Sequence, residues 1–171
     1  GSGETLLGRE KPHYDGAEPS GNSVAIQSLL RLAELTTQER YRHQAEQGLR
    51  AFAQQLDTAP SSLPRMLASV DFMQDTPKEI IIIKPNRETT AEPLLAKLRT
   101  SFVPNRVVSV VAEGQDLQQQ QALIPLLEFK TALKGKVTAY VCEKQVCLLP
   151  TSDPGVFAKQ IAQVKPLSSQ P

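Results

Sequence analysis

Four consecutive isoleucines, Ile80-Ile81-Ile82-Ile83, constrain this chain more than any other feature. β-Branched side chains favour extended backbone, and successive strand residues point to opposite faces. A run without polar alternation therefore reads as a central strand covered on both sides. The residues after it supply the cover. Thr89 to Ser101 places Leu94, Leu95 and Leu98 on one helical face behind a capping box of Thr89 and Glu92. Pro104-Asn105 then turns the chain into a second strand, Arg106 to Val111, so the helix between makes a right-handed parallel crossover. Gly114 to Gln121 reads as a loop or helix start, and Leu123 to Phe129, carrying Pro125, as at most a short helix. Val137 to Cys142 and Gln145 to Leu149 read as an antiparallel hairpin around Glu143-Lys144. Asp153 and Pro154 open a last helix with Val156, Phe157, Ile161 and Val164 inward.

The first half has a different period. Ser20 or Asn22 caps a helix to about Leu35, with Val24, Ala25, Leu29, Leu32 and Ala33 at helical spacing. Thr36 and Glu39 form a capping box for a second helix to about Asp57, striped by Tyr41, Ala45, Leu49, Phe52 and Leu56. A short third helix begins at Pro64. The expected fold class is α/β: a helical hairpin over 22–76, then an α/β module over 77–165 with a small mixed sheet of about four strands flanked by helices. Residues 1–21 read as a cloning remnant, Gly1-Ser2-Gly3, and a loop; residues 166–171 read as a tail.

Charge excludes whole classes of function. Nineteen Lys and Arg stand against 18 Asp and Glu, with no long run of either sign, so neither a nucleic-acid surface nor a polybasic membrane surface is expected. No apolar run approaches the roughly 20 residues that cross a bilayer. Two cysteines and the lack of a basic start followed by an apolar stretch make the cytoplasm the expected location. A G-x-S-x-G elbow, a G-x-x-x-x-G-K-[ST] loop and an internal G-x-G-x-x-G are all lacking, and no metal or other cofactor is expected. Lys84-Pro85-Asn86-Arg87 after the first strand lacks the small residue of a phosphate loop; Lys84 and Arg87 read as an anion contact or as a solvated loop. His43 falls opposite the apolar stripe of its helix and reads as exposed.

Cys142 and Cys147 have C-x4-C spacing, which is neither the C-x-x-C redox motif nor a zinc knuckle. If Lys144-Gln145 form a two-residue turn, the two cysteines lie directly opposite one another, close enough to bridge. They read either as a redox pair, reduced in the cytosol and bridging on oxidation, or as two small buried hydrophobes. The order β-α-β, connector, β-β-α matches the thioredoxin core in topology alone.

Asp15-Gly16-Ala17-Glu18-Pro19-Ser20-Gly21-Asn22-Ser23-Val24-Ala25, taken with Tyr140-Val141-Cys142-Glu143, Cys147, Pro150 and Asp153-Pro154, resembles the thioredoxin-domain-containing, spermatogenesis-associated protein family, including its bacterial YyaL-like members. Those proteins are several times longer, with an N-terminal thioredoxin-like domain, a central (α/α)6 toroid similar to six-hairpin glycosidases and sugar epimerases, and a C-terminal α/β segment. The resemblance implies that this chain is the C-terminal piece: the last toroid elements to about Phe72, then the appended module. Its implied partners are the rest of its own polypeptide and, in the whole protein, a carbohydrate. Such toroids place acids on loops at the cavity mouth, which makes Asp15 and Glu18 candidates for acid/base work and His13, Ser20 and Asn22 candidates for substrate binding. Asp15, Ser20 and Asn22 are equally turn and cap residues. The role expected of the chain is structural or cavity-completing, without catalysis of its own; the alternatives are a redox accessory domain using Cys142 and Cys147, or an interaction module.

Overall fold

The computed structural model describes residues 14–163. Its helical unit comprises α1 (Gly21–Thr36), α2 (Glu39–Ala51), α3 (Ala53–Thr58) and α4 (Pro64–Gln74). The α/β unit follows as β1 (Lys78–Lys84), α5 (Glu92–Thr100), β2 (Arg106–Ala112), α6 (Gln115–Gln121), β3 (Thr138–Glu143), β4 (Val146–Cys147) and α7 (Pro154–Ala162). The expected tail over 166–171 lies outside the described residues, as does Val164 of the expected inner face.

β1 is interior. The strand order is β2-β1-β3-β4, with β1 parallel to β2 and antiparallel to β3. All four isoleucines have 0% exposure. Ile80 and Ile82 face α5 and α7 through Leu94, Leu98, Phe157 and Ile161. Ile81 and Ile83 face Leu117, Leu126, Leu127 and Tyr140 on the other side. Burying a side chain of this size contributes roughly 1.5–3 kcal/mol, so this strand anchors the fold. Val156, expected inside, is largely exposed, and α7 is held by Phe157 and Ile161 instead.

The helical unit has its own core of Ile26, Leu30, Ala45, Leu49, Leu63, Met66 and Phe72, joined to the sheet by Val107 of β2. The buried face of α1 is Ser23, Ile26, Gln27, Leu30 and Ala33; of the expected stripe only Ala33 is buried, and Val24 and Leu32 are exposed. Two serviceable periodic faces exist on this helix, and the positions of α2 and α4 choose between them. A Cβ at Gly48 would lie 2.9 Å from Ile26 Cγ1, so only glycine lets α2 come this close to α1.

Three local expectations are corrected. Thr36 is the last residue of α1 and donates its hydroxyl to the Leu32 carbonyl, so it does not cap α2. The second helix bends at Phe52, whose φ of −107° and ψ of 6° end the first segment. The Thr89–Glu92 box is replaced: Asn86 Oδ1 accepts from the Thr89 amide and hydroxyl at 2.8 and 2.7 Å, and α5 begins after Ala91. At Thr36 and Thr89 another local hydrogen bond takes the hydroxyl that the box would have used.

The units are tied together by Asn105. Its amide donates to Asp71 Oδ2 and Asp75 Oδ2, both at 2.8 Å, and its carbonyl accepts from the Lys78 amide at 2.9 Å. One buried residue thus joins the end of α4, through its side chain, to the start of β1, through its backbone carbonyl, just ahead of β2.

Candidate functional site

Two places gather chemistry-bearing residues: the loop before α1 and the β3–β4 hairpin. In the loop, Asp15 is only 5% exposed, and its carboxylate accepts four short hydrogen bonds. Oδ1 accepts from the Ser20 amide at 2.7 Å. Oδ2 accepts from the Ser23 hydroxyl at 3.0 Å, the Arg65 amide at 2.9 Å and the Met66 amide at 3.2 Å. Arg65 and Met66 follow Pro64 in the first turn of α4, where backbone N–H groups have no partner within the helix, and Leu63 gives no side-chain cap. Asp15 caps α4 from 50 residues away. Ser20 caps α1, accepting from the Ser23 amide at 3.1 Å, and the Asp15 amide donates to the Ser62 carbonyl at 2.8 Å.

Burial pushes the Asp15 carboxyl up, but the hydrogen bonds from Ser20, Ser23 and Met66 outweigh it and hold the pKa below the ordinary value. A carboxylate so held is a poor proton carrier. Glu18 is exposed and does not join Asp15; its backbone carbonyl accepts from the Gly16 amide at 3.2 Å. Asn22, half-buried, opens onto a groove of about 760 Å3 with Gly48, Phe52 and Gln55, and Asp15 does not line it. His13 lies outside the described residues. The structure therefore joins Asp15 to Ser20 and leaves Glu18 and Asn22 apart from them.

The other surface candidates are occupied. Arg87 pairs with Asp116, and Lys84 Nζ donates to the Arg87 carbonyl at 2.8 Å, so both cations of the proposed anion contact have partners. His43 is exposed and lies 2.9 Å from Gln47 on its own helix. Among the described residues, no group of three His, Cys, Asp or Glu side chains could hold a metal ion.

At the hairpin, Lys144 and Gln145 form a two-residue turn with φ of 49° and 65°. That turn sets Glu143 opposite Val146 and Cys142 opposite Cys147. The two sulfurs are bridged, with the Cα atoms 3.9 Å apart. Cys142 is buried at 1% exposure and Cys147 is half-buried. Beside the bridge is a cavity of about 160 Å3 lined by Lys78, Glu143, Val146, Leu148 and Gln163 as well as both cysteines.

Glu79 was not singled out by the sequence reading, yet it completes this site. It lies opposite Cys142 in the β1–β3 register, is 2% exposed, and its Oε2 accepts from the Gln145 amide at 3.0 Å. Burial is the main cause raising its pKa, with the Gln145 hydrogen bond acting against it. An acid immediately before an apolar strand run was the available signal; its register against a cysteine was not. Lys78 pairs with Glu143 at 2.8 Å beneath the same turn.

Comparison with known proteins shows what this chain is similar to. The chain is 33% identical over 146 residues to spermatogenesis-associated protein 20 of Homo sapiens, covering 85% of this chain and 18% of that protein. It is 31% identical over 161 residues to the protein of that name from Rattus norvegicus, covering 94% and 20%. An uncharacterized Caenorhabditis elegans protein is 28% identical over 137 residues, covering 80% and 18%. The chain thus spans about a fifth of the length of the curated relatives it matches. No family model and no solved structure matches it. Similarity over most of the chain supports the family that the loop and hairpin residues resemble, as part of a larger protein. Among the described residues, no helix is long and apolar enough to cross a membrane.

Proposed function

We propose that this chain is the C-terminal module of a larger protein of the spermatogenesis-associated protein 20 family, and that its role is to complete and buttress a cavity built by the preceding helical hairpins. The observation that carries this reading is the Asp15 carboxylate. The acid best placed for chemistry is committed to four hydrogen bonds that fasten the loop and α1 to α4. Acid/base work on a sugar needs two carboxyl groups roughly 5–9.5 Å apart across the ring, with walls that position it. Glu18 is turned to solvent, and the open groove beside Asn22 encloses nothing. The helical unit then serves as the last toroid elements and the α/β unit as an appended module. The sheet order β2-β1-β3-β4, with α5 and α7 on one face, supports a thioredoxin-like topology for the latter.

Two measurements test this. Incubated with mono- and disaccharides and followed by NMR, the purified chain is expected to show no turnover; turnover lost in Asp15→Asn or Glu18→Gln would mean a self-contained active site. Co-expressed with the remainder of the same gene product as a separate polypeptide, the chain is expected to co-purify with it. Failure to associate would remove the buttressing role.

A further inference from the structure

We propose that the Cys142–Cys147 bridge is a thiol–disulfide exchange site that accepts electrons from a dithiol arriving at the exposed β4 edge, with Cys147 the sulfur attacked and Cys142 the sulfur released.

The asymmetry of the two sulfurs sets this direction. Cys142 is walled in by β1 and the core, whereas Cys147 sits half-buried on a two-residue edge strand. The cavity of about 160 Å3 against the bridge gives a thiolate room to approach. Around the opening, Val146 and Leu148 are 76% and 42% exposed, an apolar rim suited to a peptide carrying the dithiol. The bridge closes only a five-residue separation, so opening it releases a hairpin tip and leaves the β1–β3 ladder in place. Exchange can therefore proceed without unfolding.

The chemistry balances with the dithiol as the only co-reactant. Its thiolate attacks Cys147 Sγ, forming a mixed disulfide; the Cys142–Cys147 bond breaks, and Cys142 Sγ takes the electron pair and a proton. Glu79, opposite Cys142 in register and almost fully buried, is the acid placed to deliver that proton, and burial pushes its pKa up from the ordinary value. The second thiolate of the dithiol then attacks its own bonded sulfur and expels Cys147, which is protonated by solvent. In total the chain gains two electrons and two protons, and the dithiol becomes a disulfide.

The native chain is treated with dithiothreitol or with a reduced C-x-x-C peptide, and free thiols are trapped with a maleimide and counted by mass. The expected result is full reduction by both while the circular dichroism spectrum is unchanged. A bridge that opens only in denaturant overturns the proposal. Single variants test the direction: Cys147 in Cys142→Ser is expected to label at least about 10-fold faster than Cys142 in Cys147→Ser, following exposure. Equal or reversed rates overturn the assignment of attacked and released sulfurs. Glu79→Gln keeps an oxygen for the Gln145 amide but has no acidic proton, and is expected to slow reduction several-fold; an unchanged rate overturns its part in the step.

Discussion

The loop before α1 and the β3–β4 hairpin are both ties, but of opposite kinds. Asp15 joins segments 50 residues apart by hydrogen bonds to a charged group, so what it holds is the helical unit itself. The Cys142–Cys147 bridge joins residues five apart by a covalent bond within a hairpin already aligned by its turn. A long-range tie constrains much of the chain and a short one constrains little, since loop-closure entropy grows with the length closed. The difference teaches why one group reads as structure and the other as chemistry: breaking the first is expected to undo packing, whereas breaking the second is expected to free one half-buried and one buried thiol on an intact fold.

Four experiments sharpen or break that contrast. The reference point is the sheet core: Ile82→Ala, at 0% exposure between α5 and α7, is expected to cost about 2–5 kcal/mol in denaturant unfolding. A loss under about 1 kcal/mol would mean that the core is loosely packed. Next, Asp15→Asn keeps the shape but removes the charge and sets an amide donor against N–H donors, for an expected loss of about 2–3 kcal/mol. Amide exchange should rise in α1 and α4 before β1; equal loosening of β1 would erase the distinction between the units.

Removing the bridge with Cys147→Ser is expected to cost about 2 kcal/mol or less by the entropy of so short a loop. A larger cost than that of Asp15→Asn would invert the comparison. The smallest effects are in the pH dependence. Asp15 has a folded pKa below the ordinary 3.8, so its stabilisation is present above that value and lost as pH falls through the folded one. Glu79 has a folded pKa above the ordinary 4.5, so stability is gained as pH falls through the folded value toward 4.5. Denaturation curves across this range should show Asp15→Asn flattening the acid limb and Glu79→Gln flattening the limb above it; the reverse assignment would refute both causes.

Much of the fold was legible because its signals are local. The isoleucine run specifies a covered strand through side-chain stiffness and the two-residue period, and the Asp153-Pro154 start of α7 needs only neighbours, with the Asp153 carboxylate accepting from the Gly155 and Val156 amides at 2.7 and 2.8 Å. The C-x4-C spacing likewise placed the cysteines opposite one another once the turn was specified. What failed depended on competition. Two capping boxes lost to other local hydrogen bonds, and the buried stripe of α1 was decided by where α2 and α4 press on it.

From the sequence alone come the element types, the change from helical to strand period near Pro77, and the short list of Asp15, Glu18, Cys142 and Cys147. Only the tertiary structure decided their roles. Asp15 and the first turn of α4 are remote in sequence, so the capping that immobilises the carboxylate appears only when α1 and α4 pack together. Glu79 became the neighbour of Cys142 through the pairing of β1 with β3, a register that depends on the faces both strands bury. Residue chemistry is written along the chain, but burial and partners are properties of space, and those determine whether a carboxylate caps a helix or a cysteine can be reached.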